Sequence, residues 1–264
     1  MSLPSPSEHI DRISPTRRPD RPAVMRQSWS SLLFLHWALP AEAIAPLLPD
    51  GLEVDTFDGR SYVGLVPFAM AGVRPEGCPA VPWLSNFLEV NVRTYVHHRG
   101  SGPGVWFFSL DAANPVAVAL ARSLWHLPYH RATMRLDRDG ESGAISYESR
   151  RLGRPKGVGC SVGYRPIGSP REAEPGSLEH FLVERYLMYV SAGGQLRVGQ
   201  VHHRPYPVQG AELIHLQEDL VAASGISLPD AAPLAHFASG VTVEIFPLEP
   251  VGQSSRPSVL PSPT

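Results

Sequence analysis

The chain has 264 residues, 43% of them hydrophobic and 18% charged, enough apolar material for a substantial core and far from the composition of a disordered polymer. Lys+Arg 23 against Asp+Glu 25 leaves a formal net charge of −2, which excludes the global basic field that a phosphate backbone or an anionic bilayer selects. Nucleic-acid and membrane partners are therefore not expected, and with no apolar run near the roughly 20 residues that span a bilayer and no apolar signal core at the N-terminus, the cytoplasm is the default compartment.

Residues 1–24 are rich in Pro, Ser and Arg without apolar periodicity and are expected to form a disordered arm; 252–264 read as a similar tail, leaving 25–251 as one folded domain. A first strand is predicted over Ser31 to Trp37, and Pro40-Ala41-Glu42 opens a short helix that stops at Pro49-Asp50-Gly51. Asp58-Gly59 turns the chain into an apolar strand, Tyr62 to Met70. The next strand, Phe87 to Val96, alternates with period two, so Glu89, Asn91, Arg93 and Tyr95 share one face and Leu88, Val90, Val92 and Thr94 the other. Gly104 to Leu110 follows as a strand. Asn114-Pro115 is an N-cap with proline at the first helical position, predicting a helix over Val116 to Leu124. Pro128 forbids its continuation, so Trp125 to His130 is expected as a loop leading into a strand at Ala132 to Leu136. Asp139-Gly140 forms a hairpin with Ala144 to Arg151, and Val158 to Tyr164 is a further strand. Helices are predicted at Ser177 to Tyr186 and Ala211 to Ala223, and strands at Gln195 to Arg204 and His236 to Phe246. Many strands with few helices argue for a barrel or layered β fold with peripheral helices.

Glu89, Asn91, Arg93 and Tyr95 stand roughly 7 Å apart per step along their strand, a spacing that suits either a polar cavity wall or an ordinary solvated sheet face. Arg122 lies on a helix, and Tyr129 and His130 lie on the proline-held loop that leaves it, a common place for working side chains. His126 and His130 have the spacing of a helical zinc pair, but Pro128 between them rules that geometry out, and no metal is expected. The doublets His97-His98 and His202-His203 fall at strand ends beside Arg99 and Arg204, where exposed histidines are ordinary. Cys78 and Cys160 are too few and too separated for a disulfide framework or metal cluster. Lys156, in Arg154-Pro155-Lys156-Gly157, is the sole lysine and sits in what reads as an exposed turn. Nucleophile-elbow, phosphate-loop and dinucleotide motifs are absent, and no cofactor is expected.

A set of motifs in consistent order resembles the YqjF-like family of uncharacterised bacterial proteins. It comprises Leu35-His36-Trp37, Leu48-Pro49-Asp50-Gly51-Leu52, Val54 to Gly59, Phe87-x-Glu89-x-Asn91-Val92-Arg93-Thr94-Tyr95, Phe107 to Asp111, Ala121-Arg122, Leu127-Pro128-Tyr129 and Ser149-Arg150. More distantly, the same order resembles acetoacetate decarboxylase and its superfamily. That resemblance implies an α+β, mainly β fold: an antiparallel β barrel or cone with peripheral helices around a buried cavity. In the decarboxylase, a helix carrying Gly-Arg-Glu leads to a Phe-Pro-Lys-Lys loop whose first lysine forms a Schiff base with the keto acid. Ala121-Arg122-Ser123 and Leu127-Pro128-Tyr129-His130 occupy the matching stretch, so Tyr129 stands where the reactive lysine would be. Schiff-base chemistry at that position is impossible. Glu89 matches the decarboxylase's cavity glutamate, and Arg122 its helix arginine.

The resemblance thus implies that Glu89, Arg93, Arg122 and Tyr129 share a cavity; Tyr95, Arg150 and His203 are added from local chemistry. Two functions follow from such a site, whose partner would be a small anionic or carbonyl-containing ligand. In one, it is enzyme-like and lysine-free, acting on an oxo-acid or similar anionic metabolite by lyase, hydratase, aldolase or isomerase chemistry. Arg93 or Arg122 would clamp a carboxylate, Tyr129 would act as hydrogen-bond donor or acid, and Glu89 or His130 would move the proton. In the other, the same cavity binds or senses a ligand without turning it over. Self-association into a homo-oligomer is left open.

Overall fold

The computed structural model describes residues 10–153 and 156–252. β-Branched and aromatic runs separated by Gly and Pro turns become strands throughout. In chain order the elements are β1 (Met25–Leu39), α1 (Ala41–Ile44) with a 3-10 turn at Ala45–Leu47, β2 (Glu53–Val54), β3 (Ser61–Pro75), α2 (Pro82–Ser85), β4 (Phe87–His98) and β5 (Ser101–Ala112). They continue through α3 (Pro115–Leu124), β6 (Tyr129–Arg138), β7 (Ile145–Arg151), β8 (Gly159–Arg171), α4 (Leu178–Val183), β9 (Leu187–Ala192), β10 (Gln195–His202), β11 (Val208–Glu218), β12 (Leu234–Ile245) and β13 (Glu249–Pro250).

Pairing runs β1–β3–β4–β5–β6–β7–β8–β11–β12 and returns to β1, so the sheet closes on itself. A second, smaller ring leaves β5 for β9 and β10 and rejoins at β12. Among the described residues only β5–β6 and β5–β9 pair in parallel; the other ladders are antiparallel. Closure removes most free edges, leaving a mainly β barrel on which α3 is largely exposed, whereas α4 packs against the β1–β3–β4 wall. Among the described residues no helix is long and apolar enough to cross a membrane.

The two rings share the wall β12–β1–β3–β4–β5, whose strands β1, β3 and β4 are buried on both faces over much of their length. On one side Leu33, Leu35, Val63, Leu65, Val90 and Val92 pack with Tyr147 and Val162. On the other, Phe34, Val66, Phe68 and Tyr95 pack with Phe181, Leu182 and Tyr206. The polar row of β4 belongs to this second side, so it is interior and not a solvated face.

Several local expectations are corrected. Residues 211–223, rich in helix formers, are most of the strand β11 followed by a 3-10 turn at Ala222–Ser224: pairing with β8 outweighs a helix propensity of a few tenths of a kcal/mol per residue. The helix predicted over 177–186 is only α4, capped by Ser177, and the chain then forms β9, which had no clear sequence signal. Tyr129 and His130 are not on a loop but open β6. The arm expected to be disordered over 1–24 lies, from residue 10, against the barrel: Ile10 and Ala23 are buried, and Gln200 Nε2 donates to the carbonyls of Pro15 and Arg17. Residues 1–9, Arg154, Pro155 and the tail from 253 fall outside the described residues.

The arm is fastened at Asp55, whose fully buried carboxylate accepts from Arg12 and, at 2.7 Å, from Arg185 Nη1. Arg185 is itself stacked 4.1 Å from the Phe181 ring centroid and 4.9 Å from that of Tyr95. Replacing Asp55 by Asn leaves Arg185 as an unpaired buried cation, so Asp55→Asn should lower unfolding stability by about 3–5 kcal/mol. Arg12→Ala, which removes the more exposed partner, should lower it by less; urea unfolding of both variants measures the order, and equal losses would show that the arm rather than Arg185 dominates.

Candidate functional site

β4 is flanked by β3 and β5, and its register with β3 sets Gly64 beside Arg93, Val66 beside Asn91 and Phe68 beside Glu89. Gly64 matters here for its missing side chain: a Cβ would come within 3.1 Å of the His36 ring and 3.4 Å of Arg93 Cγ. That vacancy lets an imidazole and a guanidinium lie side by side on the inner face.

At one end of the row, Tyr129 and Glu89 meet. β6 enters parallel to β5 with Leu110 beside Tyr129 and Asp111 beside His130, so strand alternation sends these two neighbours to opposite faces. The Tyr129 phenol donates to Glu89 Oε2 at 2.6 Å, and the Tyr147 hydroxyl donates to the Glu89 carbonyl at 2.7 Å. Glu89 is only 3% exposed. Burial pushes its carboxyl up to about 7, opposed by the Tyr129 hydrogen bond and reinforced by the Asp111 charge. The same burial, followed by the charge of Glu89, holds the Tyr129 phenol well above its ordinary value. Near neutrality this pair consists of a firm O–H donor and a carboxyl close to half protonation.

Further along the row, Arg93 Nη2 donates to the Leu182 carbonyl at 3.2 Å, and its guanidinium stands 5.6 Å from the Phe34 ring centroid. Tyr95 donates to the same carbonyl at 2.6 Å and lies 2.6 Å from His36 Nε2. Because the phenol has one hydrogen, His36 Nε2–H donates to Tyr95 and its Nδ1 is left as an acceptor. Burial, then the charge of Arg93, holds His36 well below its ordinary value and so neutral. Asn91 Oδ1, Arg93 Nε and His36 Nδ1 are buried without a hydrogen-bond partner. Among the described residues no carboxylate forms an ion pair with Arg93, which is 9% exposed.

The remaining nominated residues are placed differently. Arg122 is exposed in the last turn of α3, and its Nε donates to the Tyr129 carbonyl at 2.6 Å; it steadies the start of β6 instead of lining the inner face. His130 is half-buried on the opposite face, where Arg151 holds Asp111 with two 2.9 Å bonds; burial, then the charges of Arg151 and Arg122, brings the imidazole down to about 4. Arg150 is exposed and lines an outer groove of about 660 Å³ with Arg135 and Glu148. Lys156 is exposed. His203, expected at an exposed strand end, is buried between Tyr186 and Tyr206, with ring centroids 4.5 Å and 4.4 Å away. His97 is buried too. The structure therefore brings together Glu89 with Tyr129 and Arg93 with Tyr95, and separates His130, Arg150 and the Arg122 guanidinium from them. Sequence reasoning missed His36 as a site residue, although its alternation with Leu35 and Trp37 carried the signal.

The model of the DUF2071 family, described as an uncharacterized conserved protein, matches residues 26–242. "Uncharacterized protein YqjF" of Bacillus subtilis (strain 168) is 38% identical over 230 residues, covering 87% of this chain and 93% of that protein. Among solved structures, the enduracididine biosynthesis enzyme MppR, complexed with the condensation product of pyruvate and imidazole 4-carboxaldehyde, superposes with a TM-score of 0.62 at 12% identity, covering 87% of this chain and 90% of that one. An acetoacetate decarboxylase-like enzyme from Sphingomonas wittichii RW1 superposes with a TM-score of 0.59 at 13% identity, covering 88% and 94%. At such identities the shared property is the fold, here an acetoacetate decarboxylase-like one.

The raised Glu89 carboxyl has a signed consequence for stability. The folded protein keeps this proton up to about pH 7 while the unfolded chain releases it near its ordinary value, so stability present at low pH is lost as pH rises between the two. Glu89→Gln should remove that loss. The variant should gain on the wild type by about 2.5 kcal/mol between pH 5 and pH 8 in urea unfolding. A difference that does not vary with pH would show that Glu89 is not raised.

Proposed function

Since the chain belongs to the DUF2071 family, whose description assigns no chemistry, we propose from the site itself that the inner face of the β4 wall receives a small anionic, carbonyl-containing metabolite such as an oxo-acid. The observation that carries this reading is Arg93: a buried guanidinium with an unpaired Nε and no carboxylate partner among the described residues. An isolated buried cation is costly, and a carboxylate is the group whose geometry a guanidinium fork matches.

Glu89 and Tyr129 supply the chemistry. Glu89, titrating near neutrality, is suited to accept a proton from carbon next to the ligand's carbonyl, and the Tyr129 O–H to hydrogen-bond the oxygen on which the negative charge develops. The ligand oxygen must first compete for the phenolic hydrogen that Glu89 holds. Such proton transfer underlies lyase, hydratase, aldolase and isomerase steps and needs no amine. The complex of MppR, a protein of the same fold, with pyruvate supports an oxo-acid as the class to test.

Thermal-shift titration with pyruvate and larger 2-oxo acids, with mass-spectrometric detection of products in the same samples, is the direct test. A ligand at about 100 times its dissociation constant stabilises by about 2.7 kcal/mol. Arg93→Gln should abolish that shift. Tyr129→Phe should retain the shift and lower turnover by about 10²- to 10⁴-fold. A shift without product would make the site a binding site only, and a shift indifferent to Arg93→Gln would overturn the clamp.

A further inference from the structure

Beyond the β4 row, the smaller ring holds a second pair of unsatisfied groups. His203 Nδ1 lies 2.7 Å from the Arg204 carbonyl, which can only accept, so Nδ1 carries the hydrogen and Nε2 is a bare acceptor. His203 is 3% exposed, and Nε2 has no partner. Burial brings the imidazole down to about 4, so it remains neutral and an acceptor near pH 7. Next to it, with ring centroids 5.9 Å apart, Trp29 presents a buried indole N–H that also has no partner. An indole nitrogen can only donate. A ring with a lone acceptor thus neighbours a ring with a lone donor, both neutral, and buried polar groups are ordinarily satisfied.

This pair is continuous with the Arg93 end through aromatic contacts. The Tyr206 ring contacts His203 at 4.4 Å and Phe34 at 5.3 Å, and Phe34 is the ring over which Arg93 stands. Trp29 meets Phe68 edge to face at 5.8 Å, and Phe68 is the cross-strand neighbour of Glu89. The stretch from guanidinium to indole is therefore occupied by packed flat rings with polar atoms at its ends.

We infer that the Trp29–His203 pair recognises a hydroxyl at the end of the ligand remote from its carboxylate, so that the substrate class is a hydroxyl-bearing acid with an aromatic or similarly flat body. A hydroxyl oxygen accepts from Trp29 Nε1–H while its hydrogen is donated to His203 Nε2, satisfying both groups at once. A carboxylate there would repel the His203 lone pair, an ammonium would leave the indole unpaired, and an apolar end would strand both. The inference rests on the preceding reading of Arg93 as the anion clamp.

Isothermal titration with 4-hydroxyphenylpyruvate and phenylpyruvate, which differ by that one hydroxyl, tests it. The wild type should bind the hydroxylated probe at least about tenfold more tightly, the discrimination expected of a site built to hydrogen-bond an OH. Trp29→Phe and His203→Phe should each reduce the ratio towards unity with little change for phenylpyruvate, and His203→Gln, which restores an acceptor, should recover part of it. Circular dichroism and thermal midpoints verify that each variant is folded. Equal affinity of the wild type for the two probes overturns the inference. So does binding of pyruvate alone in an Arg93-dependent manner, which leaves the clamp standing. Failure of all three probes overturns both readings.

Discussion

A wall whose middle has no wet side governs the molecule. Because β1, β3 and β4 belong to both rings, each buried polar side chain on them must be satisfied from within the protein or from something the protein holds. Glu89 is met by Tyr129, Tyr95 by His36 and the Leu182 carbonyl. Asn91 Oδ1, Arg93 Nε and His36 Nδ1 are not met. Where an ordinary half-exposed sheet would let water solve such problems, this architecture concentrates them along one row.

The same constraint explains what could be seen in the sequence. Alternation through Phe87 to Val96 identified the polar row, since period two needs no knowledge of the partner strands. It could not say whether the row was wet or buried, because that depends on α4 and the second ring, and β9 in that ring left no clear trace. Asn114-Pro115 announced α3 through local chemistry alone, and the Asn114 side chain does accept from the Val116 and Ala117 amides. Residues 211–223 failed for the opposite reason: their composition is helical, and only the distant pairing of 211–218 with β8 makes them a strand.

Tyr129 and His130 illustrate a finer limit. A linear match places them side by side where a relative carries two lysines, and adjacency invites assigning them to one site. Once they open a strand, adjacency becomes opposition: one phenol looks to Glu89, while the imidazole looks to the Asp111–Arg151 pair. A motif inherited in order need not be inherited in function, and here the backbone conformation decides which half of it faces the inner row.

The fastening at Asp55 reaches further than the arm it holds. Arg185 Nε also donates to the Phe181 carbonyl, within the helix whose Leu182 carbonyl receives both Arg93 and Tyr95. The arm residue Arg12 and the inner-row residues Arg93 and Tyr95 are therefore joined through Asp55, Arg185 and one short helix, so a single buried carboxylate holds both the arm and the helix whose carbonyl the row uses.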